Sequence, residues 1–143
     1  MLNRKQLIEL VVASFIAEKN HDVAKNLSLI HDEFVVTDLV FVDHGKYFPR
    51  LSGTEVRKLM GQAFQIKGRE FLFKTIVADK SQQTVIIEFI ESYPDPKTGK
   101  VYRTPQVAIC KLKDGKIYRT RHYMDPRLSY EYIAEEVVEK AFT

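Results

Sequence analysis

The sequence has little of several features that mark specialised classes of protein. It contains one cysteine, Cys110, no tryptophan, and no run of five residues of like charge. A single cysteine excludes an internal disulfide, and its place in the apolar segment 107–112 predicts a small buried core residue rather than a nucleophile. We therefore expect a reduced, cytoplasmic protein.

Charge and hydropathy also argue against two kinds of partner. The chain has 22 basic and 19 acidic residues among 143, a net charge of +3. A nucleic-acid-binding protein would concentrate Lys and Arg on one element with aromatic residues between them, and the sequence has no such cluster. The apolar segment near the N-terminus is interrupted by Glu9 and Glu18, which argues against a signal peptide or a membrane-spanning helix. We expect neither a nucleic-acid nor a membrane partner.

The residues that are present suffice for one domain over residues 1–143, since 45% of them are hydrophobic. Residue spacing and cap residues predict four helices, and β-rich segments between turn residues predict five strands. The predicted helices are Arg4–Lys19, Asp22–Leu29 with Asp22 as N-cap, Thr54–Phe64 and Leu128–Ala141. The predicted strands are Phe34–Val42, Phe71–Ala78, Thr84–Tyr93, Val101–Leu112 and Lys116–Met124. This order indicates an α+β domain with an antiparallel sheet.

The hairpin between the last two predicted strands has two alternative registers. A two-residue loop, Asp114-Gly115, would place Arg119, Arg121 and Tyr123 beside Leu112. A three-residue loop, 113–115, instead groups one mixed polar and apolar face: Ala108, Cys110, Leu112, Tyr118, Thr120, His122 and Met124. A shift of one residue exchanges whole faces, so the register decides which side chains line a ligand site. We favour the longer loop, because it gives Gly115 a left-handed conformation to fill.

Several segments together resemble the SnoaL-like branch of the NTF2-like superfamily. They are the N-terminal helix pair, Asp32-Glu33-Phe34-Val35-Val36-Thr37-Asp38, the Ser52-Gly53-Thr54 start of the third helix, and Asp114-Gly115-Lys116-Ile117 followed by Arg121-His122-Tyr123-Met124-Asp125. The superfamily includes ketosteroid isomerases, polyketide cyclases and limonene epoxide hydrolases. The resemblance covers nearly the whole chain and implies an NTF2-like cone. In that fold a curved antiparallel sheet carries helices on its concave face, and a ligand site forms in the open mouth.

The resemblance also implies roles for single positions. Asp38 stands where the isomerases have their general base. Ser14 and Ala108 stand at the places of the two isomerase oxyanion donors, so steroid isomerisation is not expected. Ala108 also falls at the aspartate base of the polyketide cyclases, so their mechanism lacks its key residue here. His122 replaces the catalytic acid of the epoxide hydrolases, and their paired Arg and Asp have no clear match around 86–92.

Asp38 and His122 are the candidate catalytic residues, because a carboxylate in an apolar strand and an imidazole can both exchange protons near neutral pH. The alternatives stay open that Asp38 is a solvated strand-end residue and His122 a satisfied core histidine. The candidate substrate-binding residues are Ser14, Ala108, Tyr118, Thr120 and Met124.

Other polar residues give weaker predictions. His21, His31 and His44 lack metal-ligand spacing, so we expect no metal and no other cofactor. Glu88 and Glu91 should fall on opposite faces of their strand, so at most one can face inward.

Two functions from different classes compete for this site. The first is a small isomerase, cyclase or lyase that transfers a proton on a small hydrophobic substrate, and the second is a non-catalytic module that binds a small molecule in the same cone. The convex sheet face, with Arg119, Arg121, Ile109, Ile117 and Tyr123, is amphipathic and broad. We therefore also predict a homodimer through that face.

Overall fold

The first helix begins at a cap that the sequence supplies. The computed structural model describes residues 1–40, 50–52, 66–124 and 134–143, with the backbone alone at 35–40, 50–52 and 141. Asn3 Oδ1 accepts a hydrogen bond from the Gln6 backbone N–H at 3.0 Å, and Gln6 Oε1 accepts one from the Asn3 N–H at 2.9 Å. This reciprocal pair satisfies two backbone donors at the start of helix α1, which spans Arg4–Lys19 as predicted.

The second helix begins at the predicted N-cap. Asp22 Oδ1 accepts a hydrogen bond from the Lys25 N–H at 2.9 Å, and α2 spans Val23–Ser28. Asn26 is 3% exposed and donates from its side-chain nitrogen to the Ser14 carbonyl at 2.8 Å. This buried hydrogen bond fixes α2 against α1.

The described strands form one six-stranded sheet. They are β1 (Ile30–Val40), β2 (Arg50–Ser52), β3 (Glu70–Asp79), β4 (Thr84–Pro94), β5 (Val101–Lys113) and β6 (Lys116–Met124). Their order across the sheet is β2-β1-β6-β5-β4-β3. The α+β class and the NTF2-like architecture are confirmed. One detail differs, because β1 runs parallel to β6 while the other neighbours are antiparallel, which makes the sheet mixed.

The turn between β5 and β6 corrects the predicted register. Lys113 pairs with Lys116, so the loop is the two-residue Asp114-Gly115 and the favoured three-residue loop is wrong. Asp114 has φ of 52° and Gly115 has φ of 72°. Two successive left-handed residues are the requirement of a type I′ turn, and Asp tolerates that conformation better than most residues.

A β-bulge lies just beyond the turn. Leu112 pairs with Ile117, but Lys111 pairs with Arg119, so Tyr118 is an extra residue on β6. An extra residue moves every following side chain of that strand to the opposite face.

The bulge restores the predicted grouping over the rest of the hairpin. Cys110 pairs with Thr120, and Ala108 pairs with His122. The shorter loop and the bulge each shift the register by one residue in the same sense. Together they shift it by two residues, and because side chains alternate with a period of two, the predicted face is kept. The predicted company of these four residues is therefore present although the predicted loop is not.

The core lies between α1 and the face of the sheet on which α1 packs, which we call the inner face. The Phe15 ring meets those of Phe71, Phe73 and Phe89 at centroid distances of 5.2, 5.7 and 5.0 Å and at steep angles, the geometry that aromatic pairs prefer. The buried apolar cluster comprises Leu7, Val11, Phe15, Phe34, Val85, Ile87, Phe89, Ala108, Cys110, Leu112 and Ile117. Cys110 is a buried core residue, as predicted, and burial raises the pKa of its thiol to about 12.

The last described segment is a short helix, α3 (Glu135–Val138), followed by a 3-10 turn over Glu139–Phe142. It contains the end of the predicted helix Leu128–Ala141. The earlier part of that helix, the predicted helix Thr54–Phe64 and the predicted loop around His44 lie outside the described residues. Within the described ranges, the helices are too short or too polar to cross a membrane.

Candidate functional site

A row of polar side chains crosses the inner face of the sheet. Its members come from different parts of the structure: the end of α1, the residue just before β3, and the strands β4, β5 and β6. We call this set the polar chain, and its members are Glu18, Arg69, Glu91, Gln106 and His122.

Residue periodicity explains why polar side chains lie on this face. Glu91 follows the buried Phe89 by two residues in β4, and Gln106 precedes the buried Ala108 by two in β5. Alternate residues of a strand share a face, so both must point to the side of the core. Glu18 continues the buried stripe of α1 one turn after Ser14.

Arg69 joins two carboxylates. Its Nε and Nη2 atoms both donate to Glu91 Oε1 at 2.7 Å, and its Nη1 donates to Glu18 Oε1 at 2.6 Å. The side chains of Arg69 and Glu91 are only 10% and 13% exposed, whereas that of Glu18 is 25% exposed. The guanidinium therefore compensates buried charge on both sides.

The second half of the polar chain leads to His122. Gln106 Nε2 donates to Glu91 Oε2 at 2.7 Å, and Gln106 Oε1 lies 3.4 Å from His122 Nδ1. Gln106 is 4% exposed and His122 is half-buried, with its ring 6.4 Å from that of Phe89. The imidazole thus has an apolar neighbour and a polar one.

Burial and charge act against each other in this row. Burial raises the pKa of the Glu18 carboxyl, the Arg69 charge lowers it, the Glu91 charge raises it, and the net change is upward. For Arg69 burial lowers the pKa, but the charges of Glu91 and Glu18 outweigh it and the pKa is raised. Burial, which the Arg69 charge only partly offsets, thus leaves Glu18 more readily protonated than an exposed glutamate.

The backbone register brings the two predicted catalytic positions side by side. Asp38 of β1 pairs with His122 of the parallel strand β6. Neighbouring strands lie about 4.8 Å apart, so these backbones are as close as two strand positions can be. The Asp38 side chain lies outside the described part of the chain.

Ser14 and Ala108, predicted to bind substrate, lie in the core. The Ser14 hydroxyl donates to the Val11 carbonyl at 2.7 Å within α1. Ala108 is fully buried and has no polar side-chain atom. Their geometry gives a ligand no hydrogen-bond donor at either position.

The remaining predicted binding residues divide between the faces. Thr120 is buried, with its hydroxyl 3.8 Å from Cys110 Sγ, and Met124 is half-buried at the end of β6. Tyr118, the bulge residue, contacts the His31 ring at 5.4 Å and the Lys113 ammonium at 5.0 Å instead of the polar chain. The structure therefore keeps Thr120 near His122 and separates Tyr118 from both.

Among the members of the polar chain, the sequence singles out His122 alone as a site residue. It predicts Glu91 only as one of two glutamates on opposite faces, and Glu91 is the one in the chain. A charged or amide residue at a core-facing position of its element is the signal that would have found Glu18, Arg69 and Gln106. Thr104 is a further polar residue at a core-facing position, since it is 1% exposed and its hydroxyl has no hydrogen-bond partner in the described structure.

The arrangement can hold and move protons. It combines an imidazole, an amide and two carboxylates with a permanent cation, all at the edge of an apolar core. Over the residues described, no three His, Cys, Asp or Glu side chains are grouped as metal ligands. The chemistry that these residues support on their own is acid–base and hydrogen-bonding chemistry.

Comparison with known proteins shows which domain family the chain matches and which solved structures share its fold. A model of the SnoaL-like domain matches residues 11–120. Among solved structures, a candidate isomerase from Bacillus subtilis is 20% identical with a TM-score of 0.74, covering 89% of this chain and 92% of that one. An LEH-like epoxide hydrolase from M. tuberculosis is 21% identical with a TM-score of 0.67, covering 87% and 86%.

A further structure, a candidate polyketide cyclase from Xanthomonas campestris pv. campestris, is 21% identical with a TM-score of 0.64 and covers 96% of this chain and 98% of that one. No curated protein sequence matches. At these identities the structural likeness concerns the fold alone.

Proposed function

Because the chain belongs to the SnoaL-like domain family, we propose that it is a small isomerase, cyclase or lyase that transfers a proton on a small hydrophobic substrate. The substrate would lie against the inner face of the sheet, near the polar chain. Asp38 would accept the proton, and His122 would be its partner. The observation that carries this proposal is the parallel register in which these two residues are paired.

The proposed reaction begins at a carbon next to a carbonyl group. The carbon–hydrogen bond breaks, its proton passes to the Asp38 carboxylate, and its electron pair forms the double bond of an enolate. His122, charged as an imidazolium, donates a hydrogen bond or a proton to the enolate oxygen. Return of the proton to another carbon gives an isomer, and expulsion of a leaving group gives a lyase product.

Two of the described neighbours of His122 support this role. The Ser14 hydroxyl already donates to the Val11 carbonyl, and Ala108 has no donor. An enolate oxygen in an apolar site needs a donor aimed at it. Of the candidate residues with described side chains beside Ala108, His122 is the one that pairs with it directly.

Exchange of substrate hydrogen for solvent deuterium tests the proposal whatever product the reaction gives. The protein is incubated in D2O with a panel of small hydrophobic ketones and keto acids, and NMR follows loss of the proton next to the carbonyl. We expect catalysed exchange with at least one compound. Asp38→Asn and His122→Ala should each slow it roughly 10²- to 10⁴-fold, the usual effect of removing a general acid or base.

Asp32→Asn is the matched control, because Asp32 is an exposed carboxylate on the same strand. It should leave exchange unchanged. Exchange that persists at the wild-type rate in both Asp38→Asn and His122→Ala would show that the roles are wrongly assigned.

A binding module is the second candidate, and the lack of donors at Ser14 and Ala108 favours it. It predicts that a hydrophobic ligand raises the unfolding temperature while no compound in the panel exchanges or reacts. Exchange lost in the two active-site variants, with ligand binding retained, would decide for the enzyme.

A further inference from the structure

The polar chain has a direction that its hydrogen bonds impose. Arg69 can only donate, so the Glu91 carboxylate that it contacts is the acceptor. Glu91 Oε2 accepts a second hydrogen bond at 2.7 Å from Gln106. An ionised carboxylate cannot donate, so Gln106 must turn its NH2 group to Glu91 and its carbonyl oxygen to His122.

The orientation of the amide then decides where the histidine proton lies. A carbonyl oxygen accepts and never donates, so the nitrogen that faces Gln106 Oε1, His122 Nδ1, must carry the hydrogen. In a neutral imidazole only one nitrogen is protonated, and the other is the base. We infer that Gln106 is a positioning residue that holds neutral His122 as the Nδ1–H tautomer and makes Nε2 its basic nitrogen.

This inference deepens the proposed function and rests on it only for its kinetic consequence. If His122 exchanges protons with a substrate, Nε2 is the atom that does so: it donates its proton from the imidazolium, and it is the basic nitrogen of the neutral ring that remains. The tautomer itself is a property of the folded protein and can be measured without any substrate.

The expected size of the effect follows from the contact. Gln106 is 4% exposed, so water does not compete well for its oxygen, but 3.4 Å is long for a hydrogen bond to nitrogen. One net hydrogen bond changes an equilibrium about fivefold. Removing it should therefore shift the tautomer ratio of His122 by about that factor.

The charge on Glu91 provides a sharper test than deletion of Gln106. In Glu91→Gln, the new amide would accept from Arg69 through its oxygen and donate through its nitrogen. Gln106 would then turn its oxygen to residue 91 and its NH2 group to His122. Nδ1 would become the acceptor, and the tautomer would reverse to Nε2–H with almost no change of shape.

Nitrogen-15 NMR of histidine-labelled full-length protein reads the tautomer directly. Spectra are recorded at a pH where His122 is neutral, and its signals are identified by their loss in His122→Ala. We expect Nδ1–H in the wild type, a shift of about fivefold toward Nε2–H in Gln106→Leu, and reversal in Glu91→Gln. Thr104→Val is the control, since it removes a buried hydroxyl two residues along the same strand face, and it should change nothing.

Two outcomes would overturn the inference: Nε2–H as the main tautomer in the wild type, or an Nδ1–H tautomer that both variants leave unaltered. The deuterium exchange assay separates this inference from the proposed function. If the NMR results hold and no compound exchanges, the tautomer assignment stands and the catalytic proposal fails. If a compound exchanges but the tautomer does not respond to the variants, the catalytic proposal stands and the tautomer assignment fails.

Discussion

Arg69→Met should destabilise the protein more than any other single change of a charged residue on the described part of the chain. Methionine keeps most of the length and apolar surface of arginine but removes the cation between Glu18 and Glu91. Removing one partner of a buried ion pair leaves an uncompensated charge and lowers the free energy of unfolding by roughly 3–5 kcal/mol. Because Glu18 is 25% exposed and can bind a proton, we expect a loss of about 3 kcal/mol, near the low end of that range.

Equilibrium unfolding in urea at neutral pH measures this loss by linear extrapolation. Arg119→Met is the matched control, because Arg119 is exposed and its guanidinium lies 5.6 Å from the Tyr118 ring. It should cost less than about 1 kcal/mol. The double variant Arg69→Met/Glu91→Gln should be more stable than Arg69→Met alone, since the stranded charge is gone.

The pH dependence provides an internal check. At about pH 4, where carboxyl groups bind protons, the stability difference between Arg69→Met and the wild type should shrink. If Arg69→Met costs no more than the Arg119 control at neutral pH, solvent screens these ion pairs and the account of the polar chain as a buried unit is refuted.

Three further predictions concern other parts of the molecule. The pKa of Glu18 is raised in the folded state, so its protonation stabilises the fold at low pH, and this contribution is lost as the pH rises from below 4.5 through the folded pKa. Glu18→Gln should abolish that loss of stability in urea titrations, and an unchanged pH profile would contradict the prediction. The Cys110 thiol, buried and with a pKa of about 12, should resist a thiol reagent at neutral pH until urea unfolds the chain, and rapid reaction of the native protein would contradict its placement. For the proposed homodimer, Val77 and Ile86 are exposed and paired on the outer face beside Ile109, so Ile86→Lys should give a monomer by light scattering, whereas a wild-type monomer at micromolar concentration would defeat the proposal.

Local signals in the sequence are enough for most elements of the fold. Asp22 caps α2 as predicted, and β6 has the predicted bounds, because a cap depends on three or four consecutive residues and a strand on alternation within itself. The parallel pairing of β1 with β6 could not be read in this way. It depends on where two distant segments meet, and neither segment encodes its neighbour.

The same limit explains the errors at the hairpin. The turn residues Asp114 and Gly115 suit either loop length, and nothing near Tyr118 marks it as an extra residue. Its place off the inner face follows from the pairing of Lys111 with Arg119, which is a property of two strands together. The predicted grouping around His122 is nevertheless correct, because two shifts of one residue add to two and so return the side chains to the same face.

The candidate site is partly predictable. His122 stands out because an imidazole is conspicuous on a strand, whereas Gln106 and Glu91 look ordinary until their faces are compared with those of Ala108 and Phe89. That the two meet, and that Arg69 joins them to α1, depends on the alignment of β3, β4 and β5. The role of Asp38 stays a prediction.

The pairing of β1 with β6 also affects how the protein is made. Ile30 emerges from the ribosome long before Ile117, its partner in the finished sheet. During synthesis β1 has unsatisfied backbone groups along the side where β6 will lie, and this pairing cannot form until β6 itself has been synthesised. Nascent chains stalled before β6 should therefore depend on chaperones, since that open strand edge is available to any other unfolded segment.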